Sequence, residues 1–210
     1  MMRKRLTREE SREQTTKHLL DAGQKLIAQK GLSATSVEDI AAAAGYSRGA
    51  FYSNFDTKFD LFIEILRRDH LETHDRFMAV CDDNIGFDQL VARLRDLYGL
   101  QYREDESFLN WAEARMLAAR DPEFRARLHE VDTEKRGQIN DLVEYIFKRA
   151  GGRPPLPPAA MAMGFVSLIE GVKLTMMAAP GDITPADAEA VLSLFLDILV
   201  RHSAVMEAAQ

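Results

Sequence analysis

Apolar residues recur at helical spacing along almost the whole chain, and no stretch alternates clearly enough to predict a strand. Near Thr7–Lys30 they form one stripe that stops at Gly31, a residue suited to a helix C-terminus. Similar stripes predict helices near residues 58–78, 88–102, 107–120, 121–149, 159–178 and 184–199. With two short helices between residues 35 and 54, the pattern predicts an all-α fold of about nine helices.

The two short helices carry the most informative pattern. Thr35 and Glu38 have capping-box spacing ahead of a short helix with one apolar face. Gly45 suits a left-handed helix end, and Ser47 suits the N-cap of a second helix, predicted over Arg48–Asn54. Two short helices joined by so tight a turn are typical of a helix-turn-helix, here over residues 36–55. The alternative is a tight helical hairpin whose second helix is merely solvated.

The second helix has an inner and an outer side. Phe51 and Phe55, one turn apart, predict the inward face. An outward Arg48 could bind guanine O6 and N7 together, and the methyl group of Ala50 could contact thymine. Hydroxyl and ammonium groups on this side suit phosphate oxygens, which set the register on DNA rather than the sequence bound.

Two later regions are unusually apolar. The sixth predicted helix is apolar nearly all round, so we expect burial on most of its sides. The last two helices have more apolar circumference than one side of a monomer needs, which predicts a homodimer through them. The longest uncharged run, Pro154–Ile169, begins in a proline-rich linker and is too short to span a bilayer, so no membrane partner is expected.

Charge divides unevenly along the chain, whose net charge is −6. Residues 1–68 carry 12 Lys/Arg and 9 Asp/Glu, giving +3, whereas residues 69–210 carry 15 and 24, giving −9. The basic part contains the helix-turn-helix, as binding to phosphates requires. The motif and the charge together favour a protein that binds double-stranded DNA.

Other classes of site find little support. The single cysteine, Cys81, excludes an internal disulfide and a multi-cysteine zinc site. His70 and His74 are one helical turn apart and could chelate a metal, but a charged, solvated helix end is the favoured interpretation. No phosphate-binding loop, metalloprotease motif or nucleophile motif is present, so we expect no enzyme, metal or cofactor. The N-terminus lacks a signal peptide, and a cytoplasmic location is expected.

The runs TSVEDIAAAA and GYSRGAFYSNFDTKFDLF resemble the DNA-binding domain of the TetR (tetracycline-repressor) family, over roughly Lys17–Leu66. The resemblance implies a DNA-binding domain over residues 1–58 and a ligand-binding and dimerisation domain over residues 59–210. It implies a repressor that binds a palindromic operator as a dimer and is released by a small-molecule inducer. Residues expected at the DNA are Thr35, Ser36, Tyr46, Ser47, Arg48, Gly49, Ala50, Tyr52, Ser53, Asn54 and Lys58. Among these, Arg48, Gly49 and Ala50 would face bases, and Tyr52 and Lys58 would hold phosphates.

An inducer pocket is expected among aromatic, Met and charged side chains of the later helices. Trp111 and Arg115 are one helical turn apart, so a pocket there would combine an indole ring with a guanidinium group. This combination favours an apolar or aromatic inducer that carries a carboxylate or phenol. Because acidic residues such as Glu113 lie nearby in the sequence, a cationic ligand is an alternative. The candidate residues are Tyr98, Tyr102, Phe108, Trp111, Arg115, Met116, Tyr145, Phe165 and Glu170. A regulator without an inducer, or a helical enzyme or adaptor, are the alternatives.

Overall fold

The computed structural model describes residues 7–102, 105–179 and 181–207, except for the side chains of residues 98, 100–102, 196 and 198–207. The first residues of the chain include Arg3, Lys4 and Arg5, which predict a basic arm near DNA, and these lie outside the described residues. The described chain is helical, with no strand, which confirms the all-α prediction. Its helices are α1 (Arg8–Lys30), α2 (Val37–Ala44), α3 (Arg48–Tyr52), α4 (Lys58–Val80), α5 (Phe87–Tyr102), α6 (Asp105–Arg120), α7 (Pro122–Arg149), α8 (Pro158–Ala178) and α9 (Pro185–Glu207).

Helix α1 begins and ends on local signals. Thr7 and Glu10 form a capping box, in which the Thr7 hydroxyl accepts the Glu10 N–H and the Glu10 carboxylate accepts the Thr7 N–H. At the other end Gly31 has φ 80°, a conformation that glycine adopts without steric cost. Within the helix Gly23 is buried, and a Cβ placed there would lie 2.7 Å from Leu61 Cδ2. This glycine therefore permits the close approach of α4 to α1.

Residue contacts divide the chain into two compact units. The first contains residues 1–72 and 104–131, and the second contains residues 73–103 and 132–210. Helices α4 and α7 contribute residues to both. This grouping reflects packing rather than function, and the functional boundary predicted at residue 58 stays a prediction.

One continuous core holds the first unit together. It combines fully buried side chains from α1, α2, α3 and α4 with Trp111 and Ala114 of α6 and with Phe124 at the start of α7. The rings of Phe62 and Phe124 stack with their centroids 5.8 Å apart. The short α2 and α3 are thus positioned by a core much larger than their own apolar surface.

Helix α6 is less buried than its composition predicts. Its described buried residues are Asn110, Trp111 and Ala114, whereas Met116 is 52% exposed. The prediction of burial on most sides is wrong. The reason is the helix's alanine content, since alanines make all sides apolar while leaving little large side-chain surface that must be covered.

The second unit has two smaller clusters. One joins Phe77, Leu90, Leu94 and Ile146, and the other forms around Ala188 and Leu192 between α8 and α9. Several large apolar side chains of α8 and α9 nevertheless face outward: Met163, Leu174, Val191, Leu194 and Phe195.

Helix α8 is long and apolar enough to span a membrane by length and composition, and most of its apolar stretch is not buried within the described protein. It differs from the uncharged run Pro154–Ile169 because the helix continues past Glu170 and Lys173 to Ala178. Lys173 is itself buried against the protein. Helix α8 packs against α9 and leaves apolar side chains exposed. Such a surface would also suit an interface between subunits.

Candidate nucleic-acid interface

The N-cap of α2 lies one residue later than predicted. Ser36, not Thr35, is the N-cap: its hydroxyl accepts the Asp39 N–H, and the Asp39 carboxylate accepts the Ser36 N–H at 3.1 Å. The Thr35–Glu38 capping box is therefore wrong. Thr35 is 1% exposed, and its hydroxyl donates to the carbonyl of Gly31 at 2.7 Å. Of the two adjacent residues Thr35 and Ser36, both expected at DNA, the structure exposes Ser36.

Asp39 is held ionised by its surroundings. The Lys30 ammonium lies 2.7 Å from its carboxylate, and this hydrogen bond, followed by those from Ser36, lowers the pKa of Asp39 from 3.8 to about 2. The same carboxylate therefore caps α2 and ties its first turn to the end of α1.

The turn between α2 and α3 follows its local sequence. Gly45 adopts the left-handed conformation (φ 80°, ψ 24°), and the next N–H, that of Tyr46, donates to the carbonyl of Ala41 at 2.8 Å. The Ser47 hydroxyl then accepts the Ala50 N–H and caps α3. The geometry is that of the predicted helix-turn-helix, although α3 ends at Tyr52 rather than at Asn54.

Two phenylalanines anchor α3 to the core. Phe51 is fully buried and Phe55 is 8% exposed, with ring centroids 5.7 Å apart. The predicted inward face of this helix is confirmed. Because a five-residue helix cannot sustain itself in water, the burial of these rings is what holds its outer side in place.

The outer side of α3 presents Arg48, Gly49, Tyr52 and Ser53 to solvent. The Arg48 guanidinium lies 2.9 Å from the Glu38 carboxylate and 5.4 Å from the centre of the Tyr52 ring. A hydrogen bond with Tyr52, and then the charge of Glu38, raise the pKa of Arg48. The side chain thus remains cationic and has defined neighbours before any DNA is bound.

Three further predicted DNA-binding residues, Asn54, Tyr46 and Lys58, also have partners within the chain. The Asn54 amide donates to the Ala50 carbonyl at 2.7 Å, and its oxygen accepts from Thr16 at 3.0 Å. The Tyr46 hydroxyl lies 3.1 Å from His18 Nδ1. These contacts tie the turn and the end of α3 to α1.

Lys58 is the third of these residues. Its ammonium donates to the carbonyls of Leu32 and Thr35 at 2.7 and 2.8 Å, and burial lowers its pKa. Lys58 therefore fastens the α1–α2 turn to the start of α4, and a phosphate would have to use its remaining N–H. Its contact with DNA, like the other assigned DNA contacts, stays a prediction.

Helix α6 supplies contacts that local sequence patterns did not reveal. The Glu113 carboxylate accepts the Leu32 N–H at 2.9 Å, and the Asn110 side chain donates to the Gln24 carbonyl at 3.1 Å. The partners are 81 and 86 residues apart in the chain. Glu113 therefore accepts from an N–H of the turn between α1 and α2, whereas Lys58 donates to two carbonyls of the same turn. This turn leads directly into α2.

The predicted inducer residues are distributed over both units. Trp111 is 6% exposed, and its indole N–H donates to Asp69 at 2.7 Å, so it forms part of the core of the first unit. Phe108, Arg115 and Met116 share its helix. In the second unit the Tyr145 hydroxyl accepts from Arg149 at 2.8 Å and donates to Asp83, while Phe165 and Glu170 are half-buried on α8. The side chains of Tyr98 and Tyr102 lie outside the described residues.

A surface groove of about 510 Å³ lies on the first unit, between α1 and α4. Its walls carry charges of both signs, and the Arg68 guanidinium bridges Asp21 and Gln24 across it. None of the predicted inducer residues lines it. Their assembly into one pocket stays a prediction.

Comparison with protein families gives two matches along this chain. The model described as "Bacterial regulatory proteins, tetR family" matches residues 19–65, which contain α2 and α3. The model described as "BetI-type transcriptional repressor, C-terminal" matches residues 87–201, more than half of the chain. The first match contains the helix-turn-helix, and the second spans α5 to α8 and most of α9.

Individual proteins agree with these family matches. The transcriptional regulator AcrR of Shigella flexneri is 49% identical over 61 residues, which are 29% of this chain but only 28% of that protein. The crystal structure of a transcriptional regulator from Rhodococcus sp. Rha1 is similar with a TM-score of 0.73 and 22% identity, over 90% of this chain and 97% of that one. The structure of SmeT with triclosan is similar with a TM-score of 0.65 and 22% identity, over 88% and 90% of the two chains. At 22% sequence identity, these structural similarities show a shared fold only.

Proposed function

This chain belongs to the TetR family of bacterial regulatory proteins, and from that premise we propose that it is a repressor that binds a palindromic operator as a homodimer and is released by a small molecule. It is a DNA-binding transcriptional regulator and not an enzyme. The observation that carries the finer proposal is the exposed outer side of α3, on which Arg48 stands beside small and hydroxyl-bearing residues while Phe51 and Phe55 anchor the inner side. We place its action in the cytoplasm, at the chromosome.

The proposed contacts divide by chemistry. Arg48 would bind a guanine through two N–H groups, with Gly49 and Ala50 close to neighbouring bases. Ser36, Ser47 and Tyr52 would donate to phosphates, joined by the remaining N–H of Lys58. Ser53 would first have to release the Gly49 carbonyl, to which its hydroxyl donates at 2.9 Å.

Dimerisation supplies the second copy of α3 that a palindrome requires. The exposed apolar side chains of α8 and α9, among them Leu194 and Phe195, support an interface through these two helices. A two-fold dimer would present its two copies of α3 to successive major grooves, roughly 34 Å apart along the DNA. Each subunit would then contact one half-site.

The inducer is proposed to be small and largely apolar or aromatic. The fold shared with SmeT, whose structure contains triclosan, supports a response to a ligand. Binding would favour dimer states in which the two copies of α3 no longer match successive grooves, so the operator would be released by a shift in population. The lining residues are proposed among Phe108, Trp111, Arg115, Met116, Tyr145, Phe165 and Glu170, with Tyr98 and Tyr102.

Selection of bound sequences from random duplex DNA tests the operator proposal. We expect a palindromic consensus, and two variants then separate the types of contact. Arg48→Ala should relax preference at one position per half-site, by about ten- to a hundredfold between correct and incorrect bases. Lys58→Ala should weaken binding to all sequences alike. If Arg48→Ala leaves both the consensus and the affinity unchanged, the assignment of a base contact to Arg48 is wrong.

The single tryptophan provides a test of the ligand proposal. An apolar or aromatic compound that dissociates the operator complex should also change Trp111 emission, because a pocket beside α6 would alter the surroundings of the indole. Trp111→Phe, which keeps most of the buried ring, should weaken induction while leaving operator affinity intact. A compound that releases Trp111→Phe as well as the parent, without any change in the parent's emission, would place the pocket elsewhere.

A further inference from the structure

We propose that Glu38 is a specificity-determining residue of this regulator: it positions Arg48 for a guanine and weakens binding to DNA that lacks the operator. The inference rests on the proposed function, because it assumes that α3 meets bases. Glu38 is an acidic residue of α2 on a surface where binding to DNA otherwise favours basic side chains.

The geometry places Glu38 against Arg48 across the turn of the helix-turn-helix. Glu38 lies in the first turn of α2, and its carboxylate is 2.9 Å from Nη1 of Arg48, the first residue of α3. Both side chains are more than half exposed. The Arg48 guanidinium also lies 5.4 Å from the centre of the Tyr52 ring. An arginine that would otherwise sample many rotamers is therefore held from two sides.

The first consequence is pre-organisation. A guanidinium has five N–H donors, and a guanine uses two of them, so Glu38 can keep its ion pair while Arg48 binds O6 and N7. Restricting Arg48 before binding reduces the side-chain entropy lost when the complex forms. Affinity for the operator should therefore be greater than with an unrestrained arginine.

The second consequence concerns DNA of other sequence. There, Arg48 could only add a contact with phosphate, and the Glu38 carboxylate competes for the same guanidinium. Because specificity is the difference between two affinities, a residue that favours one complex and disfavours the other acts on both terms.

Glu38→Gln tests this inference because it removes the charge and keeps the shape. Affinities for the selected operator and for a scrambled duplex would be measured by fluorescence anisotropy over a range of salt concentrations. We expect the ratio of operator to scrambled affinity to fall by about fivefold, the upper range for an exposed ion pair. The salt dependence on scrambled DNA should become steeper by about one phosphate contact.

Two controls distinguish positioning from a general effect of charge or stability. Glu130→Gln removes the same charge from an exposed site on α7 of the first unit and should leave the ratio unchanged. In an Arg48→Ala background, Glu38→Gln should lower the ratio less than it does in the parent, since the positioned group is gone. If Glu38 had only a structural role, Glu38→Gln would lower the melting temperature, and its effect on the affinity ratio would be the same with and without Arg48.

The outcomes separate cleanly. A ratio that Glu38→Gln leaves unchanged, or lowers equally in the Arg48→Ala background, overturns the role of Glu38 while the proposed function stands. A parent protein that prefers no sequence over scrambled DNA removes the proposed function, and the inference with it. A fall in the ratio confined to Glu38→Gln in the presence of Arg48 supports both.

Discussion

Replacing Gly23 by alanine is expected to destabilise the protein, although alanine is the better helix former. Gly23 lies in the middle of α1, where it is buried against α4. A Cβ at this position would lie 2.7 Å from Leu61 Cδ2 and 3.1 Å from Ile65 Cδ1. Leu61 is fully buried and Ile65 nearly so, which leaves these side chains little room to withdraw.

The expected magnitude follows from two opposed effects. Alanine in place of glycine favours a helix interior by about 1 kcal/mol. Carbon atoms in contact prefer a separation of about 3.5–4.0 Å, so α4 would have to move by several tenths of an ångström or Leu61 would have to leave its rotamer. Overpacking of this kind costs about 1–3 kcal/mol. The net change in the free energy of unfolding should therefore be a loss of about 1 kcal/mol.

Gly137 offers the matched control, since it is an exposed glycine inside α7 whose added Cβ would meet nothing within 4 Å. Gly137→Ala should therefore stabilise the protein by about 0.5–1 kcal/mol. Urea unfolding of both variants and the parent, followed by circular dichroism at one protein concentration, gives the comparison. If Gly23→Ala proves as stabilising as Gly137→Ala, the close packing of α1 on α4 is wrong.

Three further predictions concern a turn, a cap and the dimer. Glu113→Ala should cost about 1–3 kcal/mol, because the Leu32 N–H loses its acceptor, and should speed hydrogen exchange at that amide; unchanged exchange would exclude the contact. Asp39 should titrate near pH 2 by NMR, so its stabilising effect is present above pH 4 and is lost as the pH falls toward 2. Lys30→Ala should move that midpoint toward 3.8, and an unmoved midpoint would refute the proposed cause. Phe195→Glu should yield monomers or unfolded protein, and a dimer in sedimentation would place the interface elsewhere.

The parts of the fold that were predictable depend on local signals. Gly45 and Ser47 specify their turn through their own backbone and side-chain preferences, and both positions are as expected. The cap of α2 was ambiguous, because Thr35 and Ser36 are adjacent hydroxyl residues and each is followed three positions later by an acidic residue. A tertiary contact decided the register, since Thr35 is buried and bonded to the Gly31 carbonyl.

The candidate site divides in the same way. The inward side of the second motif helix follows from the spacing of Phe51 and Phe55, which are four residues apart, although α3 itself ends at Tyr52. The engagement of Lys58 with two carbonyls of the α1–α2 turn, and of Glu113 with the same turn, depends on helices that meet only in the folded chain. No periodicity within α4 or α6 encodes those contacts. Trp111 illustrates the same limit, because its burial beside Asp69 could not be distinguished by sequence from a place in a pocket.

The dependence of DNA affinity on salt is the most direct test of the central claim that the outer side of α3 binds operator DNA in a two-fold dimer. The selected operator and a scrambled duplex would be titrated with the parent protein between about 50 and 200 mM salt. The proposal predicts tighter binding to the operator at every salt concentration, two subunits per operator, and a logarithm of affinity that falls linearly with the logarithm of salt concentration. Equal affinity for both duplexes, or an affinity that does not respond to salt, would contradict it.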